Sequence, residues 1–182
     1  MILWLAGTNL SGEEWVLSRL SPRSRLRRLL LRRGLVSGWA AFNRRDFELR
    51  RVFFAPDVES ELPPGTQTLG LSGVFRGQAA MEQAIDEFAE SWDSWELVPA
   101  YILDLGDRLL FLGFFRARGQ ASGVQLEQEY AQLLTLGEGL ATRDEGWFSW
   151  EEGLQAAGLD PNAIALPKRG KAGQEASSSS YG

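Results

Sequence analysis

The sequence predicts an α+β fold: a curved antiparallel sheet with helices packed across its concave face, cone-shaped overall. Three observations predict it. Apolar residues recur at helical spacing through much of the first half of the chain. From Val98 onward, long apolar-rich runs at strand spacing are separated by glycine-containing turns. Helices first and a strand meander after is the order of an α+β chain rather than of alternating βα units.

The elements follow in order. Leu26, Leu29, Leu30 and Arg33 open a helical pattern that Leu35, Trp39 and Phe42 continue on one face. Gly34 and Gly38 each weaken such a helix by about 1 kcal/mol relative to alanine. Residues 43–46 read as a break, with Asp46 able to cap a second short helix over 47–54 that Ala55-Pro56-Asp57 ends. Val58 to Leu62 reads as a short strand closed by Pro63-Pro64-Gly65, and 65–76 as a glycine-containing loop. The strongest helix is 77–95, where Met81, Ile85, Phe88 and Trp92 share a face and acidic residues fill much of the other. Strands are expected at 98–105, 108–118, 124–136 and 140–148, with turns at Gly106-Asp107, Gly119 to Gly123 and Gly137-Glu138-Gly139. A terminal helix over 151–157 stops at Gly158. The expected organisation is an N-terminal extension over 1–20, one domain over 21–160, and a disordered tail over 161–182, where periodicity is lost and Ser177 to Ser180 form a run.

Composition narrows the chemistry. A chain of 182 residues with 44% hydrophobic and 24% charged residues suits one ordinary globular domain. It has no cysteine, so disulfides, thiolate nucleophiles and thiolate metal sites are excluded. It has no histidine, which removes the Ser-His-Asp triad, the commonest general base and the commonest transition-metal ligand. Neither a metal nor a cofactor is expected. The apolar run Met1 to Ala6 is too short to span a bilayer and lacks a basic flank, so a soluble, cytoplasmic protein is expected. Net charge is −5, yet residues 19–33 carry Arg19, Arg23, Arg25, Arg27, Arg28, Arg32 and Arg33 and no acid. This run reads as a solvated helix face, with no nucleic-acid or membrane partner expected.

Several segments, in order, resemble the SnoaL-like family. Residues 39–47, Trp-Ala-Ala-Phe-Asn-Arg-Arg-Asp-Phe, resemble the end of its first helix, and residues 55–59 the start of its first strand. Gly73-Val-Phe-Arg-Gly77 is similar to the segment before its long helix, and 102–108 to its hairpin. Residues 122–128 and 130–136 resemble its paired strands, and 151–159 its closing helix, so the resemblance spans about 25–159. It implies a nuclear transport factor 2-like fold. That superfamily holds polyketide cyclases, ketosteroid isomerases and epoxide hydrolases beside non-catalytic binding and dimerisation modules, so fold alone leaves function open.

Carried over on the Ala40-Ala41-Phe42-Asn43 anchor, the isomerase tyrosine falls on Gly38, its base on Leu62 and its oxyanion carboxyl near Gln132. None is kept, and Arg116 and Arg118 lack the aspartates of an epoxide hydrolase set. Many relatives carry histidine where this chain has Gln132, and glutamine cannot exchange protons near neutrality. The reading is therefore a small-molecule-binding protein with an aromatic, apolar pocket and no chemistry assigned. Its alternatives are a cyclase- or isomerase-type enzyme and a dimerisation module.

Strand alternation places Leu126, Gln128, Tyr130, Gln132 and Leu134 on one face, so Gln128, Tyr130 and Gln132 form either a polar ladder in a pocket wall or an internally bonded core. Trp39, Trp92 and Trp147 are candidate walls for a flat apolar or aromatic ligand. Arg76 would close the mouth over an anion, or pair with Glu82 or Asp86. Tyr130 and Glu61 are the candidate catalytic groups, Glu61 only if its strand is bulged. On strand 108–118, Leu110, Leu112 and Phe114 point one way and Leu109, Phe111 and Phe115 the other. Helices would cover one face and a second subunit the other, so a homodimer is expected, broken by Phe111→Asp or Phe115→Asp. Gln132→Leu is expected to keep the fold, and binding to be insensitive to pH between about 5 and 8, where histidine normally titrates.

Overall fold

The computed structural model describes residues 38–66 and 73–164. The Arg-rich segment, the pattern before residue 38, most of the expected tail and residues 67–72 lie outside the described residues. The elements are α1 (residues 38–43), α2 (Phe47–Arg51), β1 (Phe54–Glu61), β2 (Val74–Arg76), α3 (Gln78–Ala89), β3 (Trp92–Asp104), β4 (Arg108–Gly119), β5 (Gln125–Gly137), β6 (Leu140–Trp147) and α4 (Trp150–Ala156).

The strands form one six-stranded curved sheet in the order β2-β1-β6-β5-β4-β3. Hairpins join β3 through β6 antiparallel, while β1 pairs parallel to β6 and so brings the first strand back onto the last. The fold class is thus the expected one, and β4, β5, β6 and α4 fall within a residue or two of their expected bounds.

Three boundaries differ. The helix expected to reach residue 95 ends at Ala89, and Trp92 and Trp95 belong to β3. Trp92 fits a helical repeat, but Trp95 and Leu97 also alternate at strand spacing. Pairing with β4 along the whole run, from Trp92 opposite Gly119 onward, decides for the strand. The first strand starts at Phe54 rather than Val58, which shortens α2. Its ladder with β6 is irregular between Phe54 and Glu59, and that interruption accommodates Pro56, which has no N–H to give. Within the expected loop, Val74–Arg76 adds an edge strand opposite Glu59–Glu61.

Helices cover both faces of the sheet. On the concave side, Trp39 of α1 and Met81 and Ile85 of α3 pack against Val58, Leu109, Phe111 and Phe115. On the outer side, Leu110, Leu112, Ala131 and Leu133 are buried beneath Leu154 and Ala157, with Leu159 and Ile164 alongside. This corrects the expectation that the second apolar face awaits a partner: the chain's own α4 lies over it. The rest of that face is charged. Arg116 bonds Glu127 at 2.8 Å and lies 3.7 Å from Glu96. The Glu127 hydrogen bond raises the Arg116 pKa above its ordinary value. Arg118 stands 3.8 Å from Asp93.

Sequence also explains how α4 is seated. Ser149 caps it by accepting from the Glu152 N–H, and Glu151 and Glu152 complement the positive end of the first turn. Gly158, with φ of 75°, ends it. Trp150 donates its indole N–H to the Gly113 carbonyl at 2.8 Å. Gly153 lets the helix sit directly on β5, because a Cβ there would overlap the Ala131 methyl. Gly153→Ala is therefore expected to destabilise by about 1–3 kcal/mol through overpacking, despite alanine's better helix propensity. Denaturant midpoints measure this, and an unchanged or raised midpoint would contradict the tight seat.

Candidate functional site

The concave face is not filled to its end. A cavity of about 50 Å³ lies between α1, α3, the sheet and the segment that follows β1. Its walls are chiefly rings: Phe42, Phe88, Trp95, Phe115 and Phe148. These brace one another, with Phe42 edge-on to Trp95 at 5.1 Å and Phe88 tilted on Phe115 at 5.4 Å. Leu62, Pro63 and Thr66, from the segment after β1, complete the wall. Thr66 donates its hydroxyl to the Pro63 carbonyl at 2.8 Å, which leaves the wall apolar there.

Two local devices hold the cavity in shape. Asn43, at the end of α1, works as a piece of strand: its Nδ2 donates to the Leu97 carbonyl at 3.0 Å and its Oδ1 accepts from Leu97 N–H at 2.9 Å. That fixes Phe42 beside β3. Gly146 on β6 has no side chain where one would come within 2.9 Å of Pro63 Cδ and 3.4 Å of the Tyr130 hydroxyl oxygen. The glycine lets the Pro63 segment close against Tyr130.

Tyr130 is the one member of the expected polar ladder that lines the cavity, its ring 6.2 Å from Phe148. Gln128 donates to the Phe148 carbonyl at 2.8 Å and ties β5 to the end of β6. Gln132 is 9% exposed and turns away from the cavity wall to donate to Asp144 Oδ1 at 2.7 Å. Asp144, 5% exposed, also accepts from the Ser60 hydroxyl at 3.4 Å. The ladder thus divides into a cavity phenol, a backbone tie and half of a buried amide–carboxylate pair.

The other expected residues are dispersed. Trp39 is core, edge-on to Phe111 at 4.6 Å. Trp92 packs on Phe88 and Phe115 at 5.8 and 5.5 Å, from β3 rather than from a helix. Trp147 belongs to the outer cluster under α4. The register of β6 slips between its pairs to Thr135 and Leu136, after which Asp144 and Gly146 face the concave side and Trp147 faces out. Arg76 is exposed on the edge strand and donates to Glu59 Oε1 at 2.9 Å, not to Glu82 or Asp86. Glu82 instead bonds Arg51. Glu61 is exposed: the irregularity in β1 comes before Glu59, so Ser60 faces inward and Glu61 outward.

Phe42, Trp95 and Phe148 line the cavity and Asp144 joins Gln132 and Ser60, and the sequence reading named none of these as candidates apart from Gln132. The indole nitrogens of Trp92 and Trp95 are also buried, and neither meets a hydrogen-bond partner among the described residues. Among those residues no group of His, Cys, Asp or Glu is arranged to hold a metal ion. No helix there is long and apolar enough to cross a membrane.

A family profile described as a SnoaL-like domain matches residues 37–143. No curated protein matches the chain. Solved structures with the same fold include TerC co-crystallised with polyporic acid, 26% identical, with a TM-score of 0.59, covering 64% of this chain and 89% of that one. A nuclear transport factor 2-like protein of Burkholderia pseudomallei K96243 is 24% identical over 68% of this chain and 93% of its own, with a TM-score of 0.59. IdmH of Streptomyces antibioticus, a proposed polyketide cyclase, is 18% identical over 62% and 87%, with a TM-score of 0.53.

Proposed function

The chain belongs to the SnoaL-like domain family, and from that premise we propose that it binds a small, largely apolar molecule in the ring-walled cavity of the concave face. The observation that carries this reading is the cavity itself: apolar rings around an open-sided space, with the Tyr130 phenol among them. Its size restricts the ligand. About 50 Å³ is smaller than the roughly 150 Å³ that admits benzene in an engineered apolar cavity. One apolar end of the ligand enters, and the remainder stays outside the cavity. Trp39 and Trp147 drop out of this reading, Gln128 and Gln132 support it from behind, and Tyr130 stays in contact.

Ethylbenzene is the neutral probe for this cavity, and polyporic acid the probe drawn from TerC. Binding is expected to change tryptophan emission saturably at one probe per chain. At a hundredfold excess over Kd it should stabilise the fold by about 2.7 kcal/mol, a rise in Tm of several degrees. No saturable response to either probe would retire the reading.

A second reading, an acid–base enzyme of the cyclase or isomerase type, is favoured by Asp144, a buried carboxylate that accepts from Gln132. It supplies the proton-exchanging group that Gln132 lacks. Asp144→Asn would then abolish turnover and leave ethylbenzene binding intact. A homodimer rests now on the exposed Val74, Val124 and Leu126, and sedimentation at high concentration tests it.

A further inference from the structure

The cavity is small and its wall is firmly held. At about 50 Å³ it has roughly a third of the space, about 150 Å³, that admits a benzene ring in an engineered apolar cavity. Widening it means displacing residues that lie inside the core: Ile85, Leu97 and Phe115 line it and are 4%, 6% and 2% exposed. Phe115 is the most enclosed of the wall rings. Phe88, Trp92, Trp95 and Phe148 stand around it with ring centroids 5.4, 5.5, 6.3 and 5.9 Å away. Asn43 ties the Phe42 end of α1 to β3 through both ends of its amide. Pro63 sits so close to Gly146 that a Cβ there would come within 2.9 Å of it. Interiors packed in this way respond to a change of even one methylene. An unbranched chain fills such a space one carbon at a time and stops where the space ends. A ring or a tert-butyl group enters whole or not at all.

We propose that the cavity is a seat for the end of an unbranched alkyl chain, that it excludes rings and branched ends, and that Phe115 sets this limit. The proposal rests on the binding reading above and names its ligand class: a molecule with a straight aliphatic end, rather than the flat ring system anticipated from the tryptophans. Trp39 and Trp147, two of the three residues behind that expectation, take no part in the wall. Each methylene that leaves water for the apolar wall tightens binding by about fourfold. The gain ends when the space is full, and whatever the chain is attached to remains outside. Phe115 acts through its bulk alone, so a smaller side chain there relaxes the selection without removing the site.

n-Pentanol, neopentyl alcohol and benzyl alcohol each carry one primary hydroxyl and differ at the apolar end: a straight chain, a tert-butyl group and a phenyl ring. Titrated against the full chain by tryptophan emission, n-pentanol is expected to bind at least about tenfold more tightly than either of the others, the effect of about two seated methylenes. In Phe115→Leu the wall recedes, and benzyl alcohol is expected to gain at least about fivefold while n-pentanol stays within about twofold. Phe114→Leu, on the outer side of the same strand against Trp150, keeps the wild-type order. If Phe115→Leu does not melt cooperatively, Ile85→Val, which takes one methyl from the same wall, is read in its place and shifts the preference in the same direction. Benzyl alcohol or neopentyl alcohol binding as tightly as n-pentanol in wild type overturns the straight-chain seat and leaves the binding reading standing. Saturable binding of ethylbenzene without any of n-pentanol does the same. No saturable binding of any of the four overturns both. A preference unchanged in Phe115→Leu overturns the role given to Phe115.

Discussion

Phe111→Asp is expected to yield no cooperatively folded protein, rather than the monomers or aggregates anticipated from the sequence. Phe111 is 2% exposed on the concave side, packed edge-on against Trp39 and flanked in the sheet by Ile102 and Gln132. Removing such a ring costs about 3–5 kcal/mol. An unpaired carboxylate in its place adds several more, against a total stability of about 5–15 kcal/mol for a domain. Phe114→Asp is the control. Phe114 faces the other way, half-buried against Trp150 at 5.1 Å, and its loss is expected to be survivable. Circular dichroism with thermal melting separates the two. A Phe111→Asp variant that melts cooperatively and sediments as a smaller species would restore the partner-facing assignment.

The difference between that expectation and the structure marks where sequence reading stopped. The alternation of β4 was legible, including which residues share a face, because a period of two is a local property. Which face meets which helix was not. Leu110 and Leu112 are as apolar as Leu109 and Phe111, and only the return of α4 over the sheet, allowed by Gly153, tells them apart. The strands β4, β5 and β6 were readable for the same local reason, and their glycine turns bounded them. Trp92 and Trp95 were misassigned because Trp92 satisfies both periods, and a long-range pairing to Gly119 and Ala117 settles the matter. In the site, Tyr130 and Gln132 were placed on the correct face. Asp144 was missed because its orientation depends on the register slip in β6, which moves it and Gly146 inward and sends Trp147 out. No local pattern in Ala141-Thr142-Arg143-Asp144 announces that slip. Trp95 was invisible as a cavity residue for as long as it was read as the end of a helix.

Gln132→Leu is expected to cost about 3 kcal/mol, a fall in Tm of roughly 10 °C, although leucine matches glutamine in size and the position is buried. Size is not the deciding term here. Gln132 donates its amide to Asp144 Oδ1 at 2.7 Å, and both side chains lie out of the water. Leucine removes the donor at 2.7 Å, and the Ser60 hydroxyl at 3.4 Å is too distant to replace it. Taking a short hydrogen bond from a buried carboxylate costs more than losing a neutral one. The same logic gives a check that a packing explanation fails. Asp144→Leu leaves the Gln132 amide and the Ser60 hydroxyl unmatched and is expected to cost about 2 kcal/mol. The double variant Gln132→Leu/Asp144→Leu removes donor and acceptor together, and is expected to be more stable than Gln132→Leu alone by about 1–3 kcal/mol. Denaturant midpoints for the four proteins close the cycle. Additive losses would mean that the two residues act as independent fillers of the core. A Gln132→Leu variant within about 0.5 kcal/mol of wild type, the range of neutral surface changes, would mean that Asp144 draws its support from other groups.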